Sequence, residues 1–397
     1  VVELKSITGL VLCTTIAVSG AAEGQSAFES CVARLKDRAV ESGIRLETAD
    51  RALINVRRLE RVIRDDRNQP EFVSSFAEYF DRRVTPERIE TGRRLFAEHR
   101  EELETLTARY GVPGQYIVAL WGLETNYGRI LGNVPVFDSL STLACDDRRS
   151  EYFSEELVNA LRIVDRGDID PQQMLGSWAG AMGHTQFMPA SYLSYAIDGD
   201  GDGRIDLWNG TSDALASGAN FLRALRWQSG LRWGREVLLP DDFDHAAAGL
   251  DGGRPLREWR ALGVRDTGGR LLADLEIDAA VLLPSGHAGP AFVVYENFRA
   301  LMRWNRSEQF ALVVGHLADR IAGAGGLQNP PAAGPAVTRD QLLRLQESLN
   351  ALGYDSGTPD GVPGSATRAA IRGYERDQGL IPDGHFDSEL LEALGID

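Results

Sequence analysis

The sequence predicts a mainly α-helical protein with a small β/loop insertion and a separate C-terminal module of three helices. Three observations lead there. Apolar residues recur at three-to-four spacing through much of the first two-thirds of the chain, which is the mark of helices with a buried stripe. Residues 236–290 break that rhythm with frequent Gly and Asp and short apolar runs, the mark of strands and turns. Residues 322–338, AGAGGLQNPPAAGPAVT, have no periodicity and dense Gly, Pro and Ala, so they read as a linker.

In chain order, Phe28, Cys31, Val32, Leu35 and Ala39 form the first helical stripe. Thr85-Pro86-Glu87 reads as a cap, a first-turn proline and a first-turn acid, opening a helix that runs towards Tyr110 and ends at Gly111. Helical patterning returns at Asp213–Trp227. Ala279–Leu283 and Ala291–Tyr295 read as strands, and Phe298–Ile321 as helix again. The predicted main domain covers 27–321. The terminal module covers 339–397, with helical patterns at Gln341–Leu352, Ala366–Gln378 and Ser388–Leu394.

The N-terminus has the pattern of an export signal over residues 1–22. Lys5 precedes an apolar run from Ile7 to Val18, and small residues follow at Ser19-Gly20-Ala21-Ala22. The run is too short for a transmembrane span, and Leu12 stands before Cys13 where a lipoprotein signal wants a small residue. The expected product is soluble, exported to the periplasm, monomeric and without a transmembrane anchor. Removing the signal leaves Cys31 and Cys145, which are expected to pair in an oxidising compartment; the alternative is two separate buried thiols. The formal net charge of −16 repels nucleic-acid phosphates and argues against that class of partner, but it tolerates a sugar polymer.

Ile117, Leu120, Trp121 and Glu124 stand at i, i+3, i+4 and i+7, which places a carboxylate on the apolar face of a helix near its C-terminal end. Burial and the negative end of the helix dipole both favour the protonated acid. A carboxyl protonated near neutral pH suits a general acid. The plain alternative is a Glu turned to solvent, or one paired with Arg129.

Beyond Glu124 the pattern is specific. Glu124-Thr125-Asn126-Tyr127-Gly128, continuing to Gly132-Asn133, resembles the Glu-Ser/Thr-x-aromatic-Gly signature of lytic transglycosylases and their goose-type lysozyme relatives. Ser177-Trp178-Ala179-Gly180-Ala181-Met182-Gly183 with Thr185-Gln186-Phe187-Met188-Pro189 resembles a second signature, that of the B-type lytic transglycosylases. Trp304-Asn305 resembles a third, where Tyr-Asn is often found. The resemblance implies a lysozyme-like catalytic domain acting on peptidoglycan glycan strands. It makes Glu124 the acid and then the base. Ser177, Gln186, Phe187, Trp304, Asn305 and Tyr127 are then expected at the substrate. It implies cleavage between N-acetylmuramic acid and N-acetylglucosamine, with the muramic C6 hydroxyl closing onto C1 as a 1,6-anhydro ring, and no cofactor for the chemistry.

Asp138, Asp146, Asp147 and Glu151 are further carboxylates, but Arg148 and Arg149 beside them make a charged surface loop the simpler reading. Asp198-Gly-Asp200-Gly-Asp202-Gly203-Arg204-Ile205-Asp206 follows the first nine positions of an EF-hand loop, with alternating acids for one hard cation and the Arg204 carbonyl as a further donor. Asn209 replaces the usual bidentate Glu, and the B-type resemblance implies closure by Asp213. A structural Ca²⁺ is the expected occupant; the alternative is a metal-free turn. His184 and His385 lack partners at zinc-ligand spacing.

The turns at Asp360–Thr367 and Pro382–Asp387 resemble those of the three-helix peptidoglycan-binding module, where they serve as structural staples. Three alternatives remain: a lysozyme-like hydrolase using the same Glu124, a non-catalytic wall-binding protein, and a calcium-regulated adaptor.

Overall fold

A computed structural model describes residues 16–67, 74–331 and 337–396. Residues 1–15 of the expected signal lie outside the described residues, as do 332–336 of the expected linker. The chain divides into two compact units. One comprises the described residues up to Arg67 with Gly132–Met182 and Met188–Leu193. The other comprises the described parts of Asn68–Leu131, Gly183–Phe187 and Ser194–Asp397.

The first unit is helical. Its helices are Ile16–Glu41, Leu46–Leu53, Glu60–Arg67, Val136–Ala144 and Ser150–Arg166, and its sheet is minimal, β1 (Val134–Pro135) antiparallel to β2 (Leu175–Gly176). Phe28, Leu35 and Ala39 are buried along the first helix, as the stripe requires, and a disulfide joins Cys31 to Cys145. The acids near Arg148 have other partners. Glu151 takes a two-pronged pair from Arg38, Asp146 pairs with Arg67, and buried Asp138 accepts the Arg57 amide at 3.1 Å. Arg148 and Arg149 both turn to buried Asp66.

The second unit holds the main core. The expected single helix from Pro86 to Tyr110 is two, Pro86–Glu98 and Arg100–Tyr110, because His99 leaves helical geometry at ψ 20°. Its ends are as the sequence implies: the Thr85 hydroxyl accepts the Arg88 amide at 3.2 Å, and Gly111 closes in the left-handed region at φ 71°. Helix Gly114–Thr125 is buried on nearly every face, where the sequence predicted one apolar stripe. It is packed by helices Pro86–Glu98, Thr211–Ala224 and Glu308–Ile321. Phe298–Ile321 likewise proves to be two helices, Glu296–Trp304 and Glu308–Ile321, interrupted at Asn305, whose backbone turns extended.

The insertion is an antiparallel five-stranded sheet of β3 (Gly234–Leu238), β4 (Arg254–Pro255), β5 (Arg265–Asp266), β6 (Asp278–Leu282) and β7 (Ala291–Val294), in the spatial order β4-β6-β7-β3-β5. One face joins the helical core through Ala280, Leu282, Phe292 and Val294. The other carries Val281 and Val293 into a second core around Trp259. Burial on both faces explains why β6 and β7 read as unbroken apolar runs instead of alternating ones.

The terminal module has helices Arg339–Ala351, Ser365–Asp377 and Ser388–Ala393 around Leu345, Leu349 and Ile371. Buried Gln346 accepts the amides of Asp360 and Gly361 and donates to Thr367, which fixes the Asp-Gly turn. Among the described residues no helix is long and apolar enough to cross a membrane.

Candidate active site

Glu124 lies in the last turn of helix Gly114–Thr125. The chain leaves that helix through two consecutive left-handed residues, Asn126 at φ 50° and Tyr127 at φ 60°, followed by Gly128 at φ 81°. This reversal ends the helix at the carboxylate, so Glu124 is half-buried while Leu123 and Thr125 beside it are buried. The Thr125 hydroxyl holds the turn by accepting the Gly128 amide at 3.0 Å and approaching the carbonyls of Trp121 and His184 at 3.2 Å.

One oxygen of Glu124 is held. The indole Nε1–H of Trp304 donates to Oε1 at 2.8 Å. Trp304 ends helix Glu296–Trp304 and packs against Phe221 at 4.9 Å and Phe187 at 5.7 Å between ring centres. Ile117, Leu120, Trp121, His184 and Thr185 line an apolar pocket with it. Arg129, the alternative partner for Glu124, pairs with Glu87 on the exposed surface.

The other expected site residues divide into those at the surface of this arrangement and those behind it. Asn305 is half-buried immediately after Trp304, at the helix end. Gln186 is held in the left-handed region at φ 49°, its amide donating to the carbonyls of Leu131 and Gly183. Phe187, expected to line the groove, is only 2% exposed and supports Trp304 from behind. Tyr127, also expected at the substrate, is buried. Its hydroxyl donates to the Arg88 carbonyl at 2.7 Å, burial pushes that phenol well above its ordinary range, and its ring packs edge-on to Trp121. Ser177 belongs to the first unit, where its hydroxyl accepts the Ala179 and Ala181 amides.

His184 matters although the sequence offered no role for it. Its Nδ1 accepts the Trp121 indole N–H at 2.8 Å, which assigns the ring proton to Nε2 in the neutral ring, and burial lowers its affinity for a second proton. Its backbone N–H donates to the Leu207 carbonyl at 2.8 Å, so it ties helix Gly114–Thr125 to the acidic loop. The available signal was the adjacent Gly183, whose φ of 64° and close approach to Leu207 leave no room for a side chain.

In that loop the carboxylates of Asp198, Asp200 and Asp202 converge, with one oxygen from each lying within 4.8 Å of the others. Amides of Gly201 and Gly203 donate to Asp198, holding its carboxyl below the usual range, and the Arg204 amide donates to Asp202. An all-oxygen donor set on a turn of this kind suits a hard cation. Asp213 is buried in the first turn of helix Thr211–Ala224, and its two oxygens accept the Gly199 and Asp206 amides at 2.7 Å. It therefore clamps the two ends of the loop.

Comparison with known proteins finds relatives along most of the chain. Residues 27–319 match the transglycosylase SLT domain, and residues 338–394 match a peptidoglycan binding domain. The membrane-bound lytic murein transglycosylase B of Escherichia coli K12 is 32% identical over 292 residues, covering 68% of this chain and 76% of that protein. Pseudomonas aeruginosa SltB3, solved in complex with NAG-anhNAM-pentapeptide, superposes with a TM-score of 0.89 at 41% identity, covering 93% of this chain and 99% of that one. The Escherichia coli lytic transglycosylase SLT35, solved in complex with calcium, gives 0.64 at 30% identity, over 74% of this chain and 92% of that one. With the half-buried glutamate, its aromatic neighbour and this extended match, the chain belongs to the SLT-domain lytic transglycosylase family.

Proposed function

We propose that Glu124 is the single acid/base with which this lytic transglycosylase cleaves the β-1,4 bond between N-acetylmuramic acid and N-acetylglucosamine in peptidoglycan. The observation that carries this reading is the half-buried carboxyl at the helix end, held by Trp304. Protonated Glu124 gives its proton to the glycosidic oxygen as the bond to C1 breaks. The resulting carboxylate takes the proton of the muramic C6 hydroxyl as O6 closes onto C1, leaving a 1,6-anhydro end. One carboxyl suffices because the sugar's own N-acetyl oxygen, in place of the second carboxylate of most glycosidases, stabilises the cation developing at C1 until O6 closes onto it. Asn305 and Gln186 are proposed to hold the glycan, with Trp304 offering a ring edge, and Ser177 of the first unit is proposed as a glycan-binding residue in its own right. Phe187 and Tyr127 are assigned to supporting that surface from within.

Digestion of purified sacculi followed by mass spectrometry tests this. The wild type should release anhydro-muropeptides, and E124Q should turn over at least about 100-fold more slowly, the range expected on losing a general acid. Reducing ends in place of anhydro ends would favour a lysozyme-like hydrolase. Unchanged turnover by E124Q would end the catalytic assignment.

We also assign a structural Ca²⁺ to Asp198, Asp200 and Asp202, with Asp213 holding the loop ends. The ion's contribution there is to folding, not to bond cleavage. The terminal module is proposed to bind peptidoglycan and the protein to act in the periplasm, consistent with the exported pattern of residues 1–22.

A further inference from the structure

We infer that His184 is a positioning residue that couples the order of the acidic loop to the end of helix Gly114–Thr125, where Glu124 is presented. The inference rests on the readings of Glu124 as the acid/base and of the loop as a cation site. His184 meets the helix end at three places. Its Nδ1 accepts the Trp121 indole N–H at 2.8 Å, its carbonyl lies 3.2 Å from the Thr125 hydroxyl, and its ring fills the space a Cβ on Gly128 would need. These contacts fall on both sides of Glu124 in the chain.

On its other side His184 meets the loop. Its backbone N–H donates to the Leu207 carbonyl at 2.8 Å, and the Trp208 backbone and the Asp206 carboxylate face its ring. The residues around Leu207 are fixed in turn. Asp206 Oδ1 accepts the amides of Trp208 and Asn209 at 2.9 Å, and the Asp206 amide donates to Asp213 Oδ2 at 2.7 Å. The other oxygen of Asp213 accepts the Gly199 amide, next to Asp198. A continuous series of bonds therefore runs from the converging acids to the Trp121 indole.

The loop has two states to transmit. Without a cation, Asp198, Asp200 and Asp202 repel one another, which loosens the loop that supplies the Leu207 carbonyl; a divalent cation reverses the sign. His184 is only 9% exposed, so no bulk water replaces it as acceptor when it shifts, and the indole is left unmet. Moving the carboxyl by about 1 Å costs on the order of 100-fold in rate. A second route is available through helix Thr211–Ala224, which begins beside Asp213 and also packs on helix Gly114–Thr125. Variants at His184 separate the two.

The test uses the whole protein, stripped of calcium and then supplied with it, as wild type, H184L, H184Q and W121F, with ¹⁵N-labelled tryptophan. W121F identifies the Trp121 indole resonance among those of the seven tryptophans. In the wild type, calcium should move that resonance downfield. It should also raise kcat on purified peptidoglycan about five-fold, the low end of ordinary coupling between sites, with little change in KM. H184L fills the space and lacks the acceptor. Its Tm should still rise with calcium, while its kcat stays at the calcium-free wild-type level. H184Q, whose side-chain oxygen accepts the indole, should recover most of the response.

W121F removes the same bond from the helix side and should lose the same kinetic response, so the test stands even if H184L fails to fold. A merely structural His184 would lower Tm and leave the calcium response of kcat intact in H184L; that result overturns the proposal and points to the route through helix Thr211–Ala224. A wild-type indole resonance that ignores calcium while Tm rises overturns it too. A wild-type Tm indifferent to calcium removes the cation reading and this inference with it. Full activity in E124Q would instead remove the acid/base reading, while the indole resonance still reports the coupling.

Discussion

At Gly128 the turn after helix Gly114–Thr125 has space for a hydrogen and nothing more. A Cβ there would stand 2.2 Å from Cε1 and 2.6 Å from Nδ1 of His184, and the backbone is already left-handed at φ 81°. That imidazole accepts the Trp121 indole, three residues before Glu124, so a displaced His184 disturbs the helix end that presents the carboxyl. G128A is expected to lose about 2–4 kcal/mol of stability, from overpacking plus the cost of a left-handed alanine. It should also lose activity at temperatures where it remains folded. Denaturant melts check the first point. The double variant G128A/H184A should be less destabilised than the two single costs summed, since one clash partner is gone. The glycine of the signature was visible in the sequence, but its reason was not, because His184 lies 56 positions away along the chain (184 − 128).

At the scale of elements, the acidic loop and the helix that follows it act together. Asp213 accepts amides from both ends of the loop while sitting in the first turn of helix Thr211–Ala224, and burial raises its proton affinity above the usual carboxylate range. Asp198, Asp200 and Asp202 then face one another with like charge, an arrangement that a divalent cation relieves. Calcium at about 100 times its Kd should stabilise the folded protein by about 2.7 kcal/mol, read as a rise in Tm. D200N should lose most of that rise while keeping its metal-free Tm close to the wild type. A Tm indifferent to calcium in the wild type would remove the assignment. The loop's spacing made its acids legible in advance, whereas the clamping role of Asp213 depends on how the following helix folds back onto the Gly199 and Asp206 amides.

Across the whole molecule, the terminal module meets the β insertion within the second unit. Asp383 Oδ2 accepts the His287 backbone N–H at 2.7 Å and lies 2.7 Å from its Nδ1, while Oδ1 accepts the His385 amide. The segment read as a linker is also tethered where it is described, for the amides of Gln328 and Asn329 donate to Glu236 in β3. D383A should loosen this contact by about 1–3 kcal/mol, as when a charged acceptor leaves a donor unmet. Faster amide exchange at 284–289 and 380–387, with the module's helices still protected, is the expected result; unchanged exchange would show that other contacts hold the module. Local periodicity, caps and turn residues made the helical class, the insertion and the three terminal helices legible, because each depends on neighbours a few positions apart. The three signatures likewise brought Glu124 and Trp304 forward as candidates. What the chain order left undecided were the breaks at His99 and Asn305, the burial of Tyr127 and Phe187, and the bond between Glu124 and Trp304. Those depend on residues separated by tens to hundreds of positions, and only folding brings them within packing and hydrogen-bond distance.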